Sequence, residues 1–218
     1  MIRIVKSEIL DGLPPDNPAV PCARRDLLII NALMGNHRWI LRHLYQLMGP
    51  DERLLEIGSG DGSLVQKIDR LRIPTRPSLL SALDHVPAPV DLPDSCIWHQ
   101  ADVFDRLNII EDSDLLVASL FLHHFEPDEL ARIGRSIARG PRVVLACEPV
   151  RRPIHKSQLL ALRIMRLHPV TRHDACVSIE AGFRGAELPS FLNLDSDRWQ
   201  ITLSETLFGA YRMLAIRQ

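Results

Sequence analysis

The stretch Leu54-Leu55-Glu56-Ile57-Gly58-Ser59-Gly60-Asp61-Gly62 constrains this chain more than any other. A short apolar run, Arg53–Ile57, reads as a buried strand. Three glycines at alternate positions follow it, and a helical pattern begins near Ser63. Glycine lets a backbone turn tightly and lets a ligand approach without a Cβ in the way. The dinucleotide fingerprint G-x-G-x-x-G, counted from Gly58, would need its third glycine at the position held by Ser63. The pattern present is instead acid-x-G-x-G-x-G, counted from Glu56.

Strand and helix signals then alternate. Leu79–Leu83 reads as a second strand ending at Asp84. Ile97–Ala101 is a third, ending at Asp102. Leu115–Leu120 is a fourth, followed by a helix over Pro127–Ala138, and Val143–Cys147 is a fifth. These runs lack period-two alternation, as expected of parallel strands buried on both faces. The alternation predicts a Rossmann-like, doubly wound, mostly parallel α/β sheet. Trp199–Ser204 and Ala210–Arg217, around Leu207-Phe208-Gly209, predict a C-terminal antiparallel hairpin.

The flanks read differently. Residues 1–23 contain Pro14, Pro15, Pro18 and Pro21, which block a long helix. A helical pattern then runs from about Arg24 to Met48, with Gly35 as a break and Gly49-Pro50 as its end. After the fifth strand, His155–His168 and Thr171–Ala181 read as helices, the second closed by Gly182 as a C-cap. The expected organisation is a single domain over 1–218. Residues 1–50 would form an N-terminal helical lid, 51–148 the ligand-binding core, and 149–218 a substrate-cap insertion and the terminal hairpin.

Composition narrows the function classes. A formal net charge of −1 gives no global basic field for nucleic acid or anionic membrane. The N-terminus, Met-Ile-Arg-Ile-Val-Lys-Ser-Glu, is interrupted by charge too early for a signal peptide. No stretch approaches the roughly 18 uncharged apolar residues of a membrane span. Cys22, Cys96, Cys147 and Cys176 form no Cys-x-x-Cys pair, so neither a zinc ribbon nor a redox motif is signalled. A cytoplasmic enzyme with reduced thiols is the expectation.

The Glu56-to-Gly62 spacing, with Asp84 and Asp102 at the next two strand ends, resembles class I S-adenosylmethionine-dependent methyltransferases. Ser119-Leu120-Phe121-Leu122-His123-His124-Phe125 after the fourth strand resembles the small-molecule type of ubiquinone and menaquinone biosynthesis. The resemblance covers roughly 53–148. It implies S-adenosylmethionine as cofactor, with Glu56 on the methionine amino end and Gly58 and Gly60 passing beneath the ligand. Asp84 would hold both ribose hydroxyls. Asp102 and the Val103 N–H would hold the adenine, with Asp105 a competing acid. Ser59, Gly62, His85 and Ser119 complete the cofactor set the resemblance implies. The plain alternatives are a ligand-free turn for the glycines, a surface acid for Asp84 and an ordinary cap for Asp102. The Asn/Asp-Pro-Pro-Tyr/Phe motif of many nucleic-acid and protein amide methyltransferases is absent. The fourth strand ends at Ser119 rather than at a magnesium-binding carboxylate, so no metal is expected.

Substrate should meet the carboxyl ends of the strands. Two apolar covers are at hand: the segment around Asn36-His37-Arg38-Trp39, and the insertion holding Leu159, Leu160, Leu162, Ile164, Met165 and Leu167. They suggest a small lipophilic or aromatic acceptor, or they simply pack on the domain. A base assists when the acceptor is a hydroxyl or an acidic carbon, and histidine suits that role. His123 is the first candidate, then His124 and His173, though each could instead be structural. Glu148 could orient such a base or cap the next turn. The leading expectation is O- or C-methyl transfer to a small molecule. A methyltransferase for another substrate class, a non-catalytic partner subunit of the same fold, and a nicotinamide oxidoreductase are the alternatives.

Overall fold

The computed structural model describes residues 1–14, 16–49, 51–71, 77–161 and 167–218, with backbone only for 159–161. Seven strands form one sheet: β1 (Arg53–Ile57), β2 (Leu79–Asp84), β3 (Cys96–Gln100), β4 (Leu115–Ser119), β5 (Val143–Pro149), β6 (Trp199–Glu205) and β7 (Ala210–Arg217). Their order is β3-β2-β1-β4-β5-β7-β6. The first five are parallel, while β7 runs antiparallel to both β5 and β6. This is the Rossmann-like sheet with a terminal antiparallel hairpin that the sequence predicts. The strand order reverses between β1 and β4, which opens a crevice at their carboxyl ends.

Alternation along each strand divides the core. Leu55 and Ile57 of β1, Leu116 and Ala118 of β4, and Val144 and Ala146 of β5 pack on one face with Leu130, Ile133 and Ile137 of α5 (Pro127–Ile137). Leu54, Leu115, Val117, Val143, Leu145 and Cys147 pack on the other. They meet Ile40 and Leu44 of α2 (Asn36–Leu47) and Leu64, Val65 and Ile68 of α3 (Ser63–Arg70). Every residue of β5 is buried. Each such Leu, Ile or Val contributes roughly 1.5–3 kcal/mol relative to an exposed one. By the same alternation Glu56 and Ser119 point to the α2/α3 face, at the crevice end of their strands. Among the described residues no helix is long and apolar enough to cross a membrane.

Several expected boundaries move, each for a local reason. The N-terminal helix α1 spans Ala19–Met34 and begins five residues before Arg24. Pro21 falls in its first turn, where the missing N–H would have no intrahelical partner anyway. Gly35, in the left-handed region at φ 67°, separates α1 from α2. Helix α6 spans Pro153–Ala161 and begins two residues before the expected His155, and α7 spans Pro169–Ala181 and begins two residues before the expected Thr171, because Pro169 is well placed at a first helical position. The apolar residues Leu162, Ile164 and Met165 of that expectation, and the side chains of Leu159 and Leu160, lie outside the described residues. Gly182 is the C-cap of α7, as expected, in an extended rather than a left-handed conformation. A Cβ there would stand 2.3 Å from the Pro149 carbonyl oxygen, so close approach to β5 requires the glycine. The third strand stops at Gln100, two residues short of Asp102. Two five-residue helices, α4 (Leu107–Glu111) and α8 (Glu187–Phe191), escape sequence reading because one turn carries no periodicity.

Helices α1 and α7 are tied together by one buried carboxylate. Asp26 accepts the His168 backbone N–H at 2.6 Å and the Thr171 hydroxyl at 3.1 Å, and so caps the start of α7 from a distant helix. Asp26→Ala leaves those donors unpaired. We expect it to lower unfolding free energy by about 1–3 kcal/mol, and to speed amide exchange at residues 168–172. Unchanged chemical denaturation and exchange would show that the link carries no stability.

Candidate functional site

The glycine turn opens onto a cavity of about 870 Å³ at the carboxyl ends of β1, β2 and β4. Glu56, Gly58, Ser59, Gly60, Asp84, His85, Asp102, Val103 and Ser119 all line it. Gly60 has φ 54°, and a Cβ there would meet nothing within 4 Å, so its face is open to a ligand. Gly58 lines the cavity but is more crowded than Gly60. Its φ is 69°, but the space its Cβ would take is held by the Phe121 ring, 2.2 Å from that point. Gly58 therefore seats the turn after β4 against the turn after β1. Gly62 packs against Pro89 rather than on the cavity, while its neighbours Asp61 and Ser63 do line it.

The acids around this turn are unequal. Glu56 is fully buried, and its Oε2 has no hydrogen-bond partner. Burial, with Asp61 and Asp84 nearby, pushes its pKa well above the ordinary carboxylate range. A buried acceptor without a donor is costly unless a ligand supplies one. The Ser119 hydroxyl is buried without a partner in the same way. Asp84 is held in place: its Oδ2 accepts the Gly60 N–H at 2.7 Å and its Oδ1 the Val86 N–H at 3.1 Å. His85 is exposed, its Nδ1 3.3 Å from Asp84 Oδ1. Asp102 is exposed and accepts the Phe104 N–H at 2.7 Å, which presents buried Val103 to the cavity.

Glu8, His123 and His124 face the same space, with Glu148 buried behind them. Glu148, at the end of β5, has no exposed surface. It accepts backbone N–H groups of Phe121, Leu122 and His123 at 3.2, 2.9 and 3.3 Å, and its Oε2 lies 2.7 Å from His123 Nδ1. Opposite a carboxylate, that nitrogen carries the proton. His123 Nε2 faces Glu8 Oε1 at 3.4 Å, and His124 Nε2 faces the same oxygen at 3.5 Å. Burial lowers the His123 pKa, but the hydrogen bonds to Glu148 and Glu8 outweigh it and raise it to about 9. Burial likewise raises Glu8, and the two histidines overcome that and hold it below its ordinary value. His173 stands apart from this group: it is exposed on α7, its Nδ1 3.0 Å from Asp174 Oδ1, and the described cavity wall does not include it.

Sequence reading missed Glu8, which reaches the cavity because the first residues are strapped across the domain. Arg3 donates to the carbonyls of Ala181, Phe125 and His123, and Asp174 accepts the N–H groups of Ile9 and Leu10. No local pattern marks a residue placed by such long-range contacts. Of the residues expected to cover the site, only His37 lines the cavity among the described ones, and Leu167 is buried; the wall is instead built from Leu27, Leu28, Ile30 and Leu33 of α1 and from His155 and Gln158 of α6.

The fold has known counterparts. No protein-family model matches the chain, and no curated protein matches its sequence. Solved structures do. The plantazolicin methyltransferase BpumL, in complex with a monoazolic desmethylPZN analog and SAH, superposes with TM-score 0.68 at 8% identity, covering 93% of this chain and 91% of that one. The plantazolicin methyltransferase BamL gives TM-score 0.68 at 8% identity over 94% and 92%. Magnesium protoporphyrin IX methyltransferase from Synechocystis PCC 6803, with bound SAH, gives TM-score 0.51 at 13% identity over 96% and 91%. The fold is that of the class I S-adenosylmethionine-dependent methyltransferases. In this fold the glycine turn follows β1, Asp84 is the last residue of β2, and Asp102 stands two residues beyond the end of β3.

His37 gives the site a measurable acid dependence. Lys67 Nζ lies 2.8 Å from His37 Nδ1. An ammonium only donates, so Nδ1 accepts and Nε2 carries the proton. Burial and the Lys67 charge lower the His37 pKa from 6.5 to about 4. The folded protein thus holds His37 neutral where the unfolded chain would bind a proton. Stability from this group is present above pH 6.5 and is lost as pH falls towards about 4. His37→Gln, whose amide oxygen can still accept from Lys67, should flatten the decline in urea midpoint over that window. An identical decline in the variant would sink the assignment.

Proposed function

We propose that the chain transfers a methyl group from S-adenosylmethionine to a small, lipophilic or aromatic acceptor, at oxygen or carbon. The observation that carries this reading is the orphaned Glu56 carboxylate beside the open face of Gly60, at the end of β1. The cofactor's amino group would supply the donor that Glu56 lacks. Asp84, held by Gly60 and Val86, keeps lone pairs for two ribose hydroxyls, and Val103 with Asp102 would hold the adenine. Bound S-adenosylmethionine supplies a methyl group already activated on a sulfonium, so the protein's own task is largely alignment.

The acceptor would lie between the sheet and the lid formed by α1 and α2, against Leu27, Leu28, Leu33 and Phe121. Glu8, His123 and His124 form the polar end of that space. They would receive the acceptor's heteroatom or acidic carbon and manage its charge, with Glu148 orienting His123. The apolar walls and the acceptors of the plantazolicin and magnesium protoporphyrin enzymes support a small molecule over nucleic acid, as does the net charge of −1. All four cysteines are free thiols, which suits a cytoplasmic setting.

Calorimetry and thermal shift with S-adenosylhomocysteine test this reading. The ligand should bind and raise Tm by mass action. Gly60→Val, which fills the open face, should abolish the shift. Asp84→Ala should weaken binding about ten- to a thousand-fold. Because Asp84 also anchors the glycine turn, Tm of the free protein should fall modestly too. Asp91→Ala and Asp94→Ala, both at exposed positions, should be silent. Stabilisation by NAD and none by S-adenosylhomocysteine would refute the proposal.

A further inference from the structure

We propose that Glu8, His123 and His124 form a binding site for a divalent transition-metal ion, with an open position facing the acceptor space. The proposal deepens the reading above and rests on it only for the ion's role, not for the site itself. The ligand atoms of the three residues lie within 4.8 Å of one another. Two of the three separations, 3.4 Å from Glu8 Oε1 to His123 Nε2 and 3.5 Å to His124 Nε2, already have the spacing of a coordination shell. Ligands about 2.0–2.2 Å from a tetrahedral ion stand roughly 3.3–3.6 Å apart. The third separation is within 4.8 Å, and an ion would have to draw in the partly exposed His124 to close it.

The groups behind the ligands fit as well. A metal-binding histidine typically gives its other ring N–H to a carboxylate, which fixes the tautomer and aims the free lone pair. Here His123 Nδ1 meets Glu148 at 2.7 Å, whereas His124 Nδ1 lies 3.9 Å from Asp11 Oδ2, an electrostatic contact beyond hydrogen-bond length. Both Nε2 atoms converge on Glu8. The Ser178 hydroxyl lies against the same Glu8 oxygen and steadies it. Two histidines and one carboxylate favour ions such as Zn²⁺ or Fe²⁺ over Mg²⁺ and Ca²⁺, which prefer all-oxygen sites. Ser119 at the end of β4 gives no hint of this, because the ligands come from the next turn and from the distant N-terminal strap. An ion there would take an acceptor hydroxyl or enolic oxygen at its open position and lower that oxygen's pKa.

The test uses the full chain, stripped with chelator and titrated calorimetrically with Zn²⁺. One equivalent should bind, raise Tm, and be unmatched by Mg²⁺. Glu8→Ala and His124→Ala should each weaken Zn²⁺ by more than about 100-fold, and Glu148→Gln, acting through His123, by about 10–100-fold. His173→Ala, outside the cluster, should bind like wild type. S-adenosylhomocysteine binding should survive in the Glu8 and His124 variants, since neither belongs to the cofactor set. Zn²⁺ affinity that is absent in the wild type, matched by Mg²⁺, or unchanged in the Glu8 and His124 variants would overturn the proposal. Loss of S-adenosylhomocysteine binding in the wild type would strike the methyltransferase reading alone.

Discussion

The buried carboxylate of Glu148 organises the functional end of this molecule. A charge removed entirely from water is expensive unless strong partners replace the solvent. Glu148 has four: three consecutive backbone N–H groups and the His123 ring. To deliver them, the chain after β4 must wrap around the end of β5. That wrapping forces Leu120 into the left-handed region at φ 55°, a strained choice for leucine. It also lays the Phe121 ring on Gly58 and turns His123 and His124 toward the cavity. One ionic centre thus sets the relative positions of the cofactor turn and the acceptor-facing histidines.

The N-terminal strap completes what Glu148 begins. Arg3 is anchored on carbonyls of the β4 turn and of α7, with its guanidinium 4.8 Å from the centre of the Phe183 ring. Asp174 holds the strap from the other side through two backbone N–H groups. Between these anchors Glu8 is held opposite both histidines. The same cavity therefore has two chemically distinct ends. At one, a Glu56 oxygen lacks a donor near the open face of Gly60. At the other, two imidazoles converge on a carboxylate under apolar walls from α1 and α2.

Much of the frame was legible because it is local. The β1 strand, the glycine turn and α3 fall where period and composition put them, as do β7 and, within a residue or two, β2, β3, β4 and β6. Buried parallel strands are short apolar runs, and each ends at a residue whose chemistry stands out. The misreadings share a cause. The start of α1 was obscured by Pro21, whose cost vanishes in a first helical turn. Gly182 does cap α7, but the close approach to β5 that requires a glycine there is not visible in the sequence. Nothing local marks that Gly58, which lines the cavity, also seats the Phe121 ring from some 60 residues along the chain.

The sequence by itself determined the sheet, its strand order class and the identity of the glycine turn with its acids, because strand burial and backbone freedom are properties of neighbouring residues. Only the tertiary structure decided how the polar end of the cavity is built. Glu8, His123, His124 and Glu148 come from the N-terminal strap, the β4 turn and the end of β5, and contacts across more than a hundred residues bring them within hydrogen-bond reach. Such convergence depends on backbone donors, buried charge and long-range packing, none of which leaves a pattern in residue spacing.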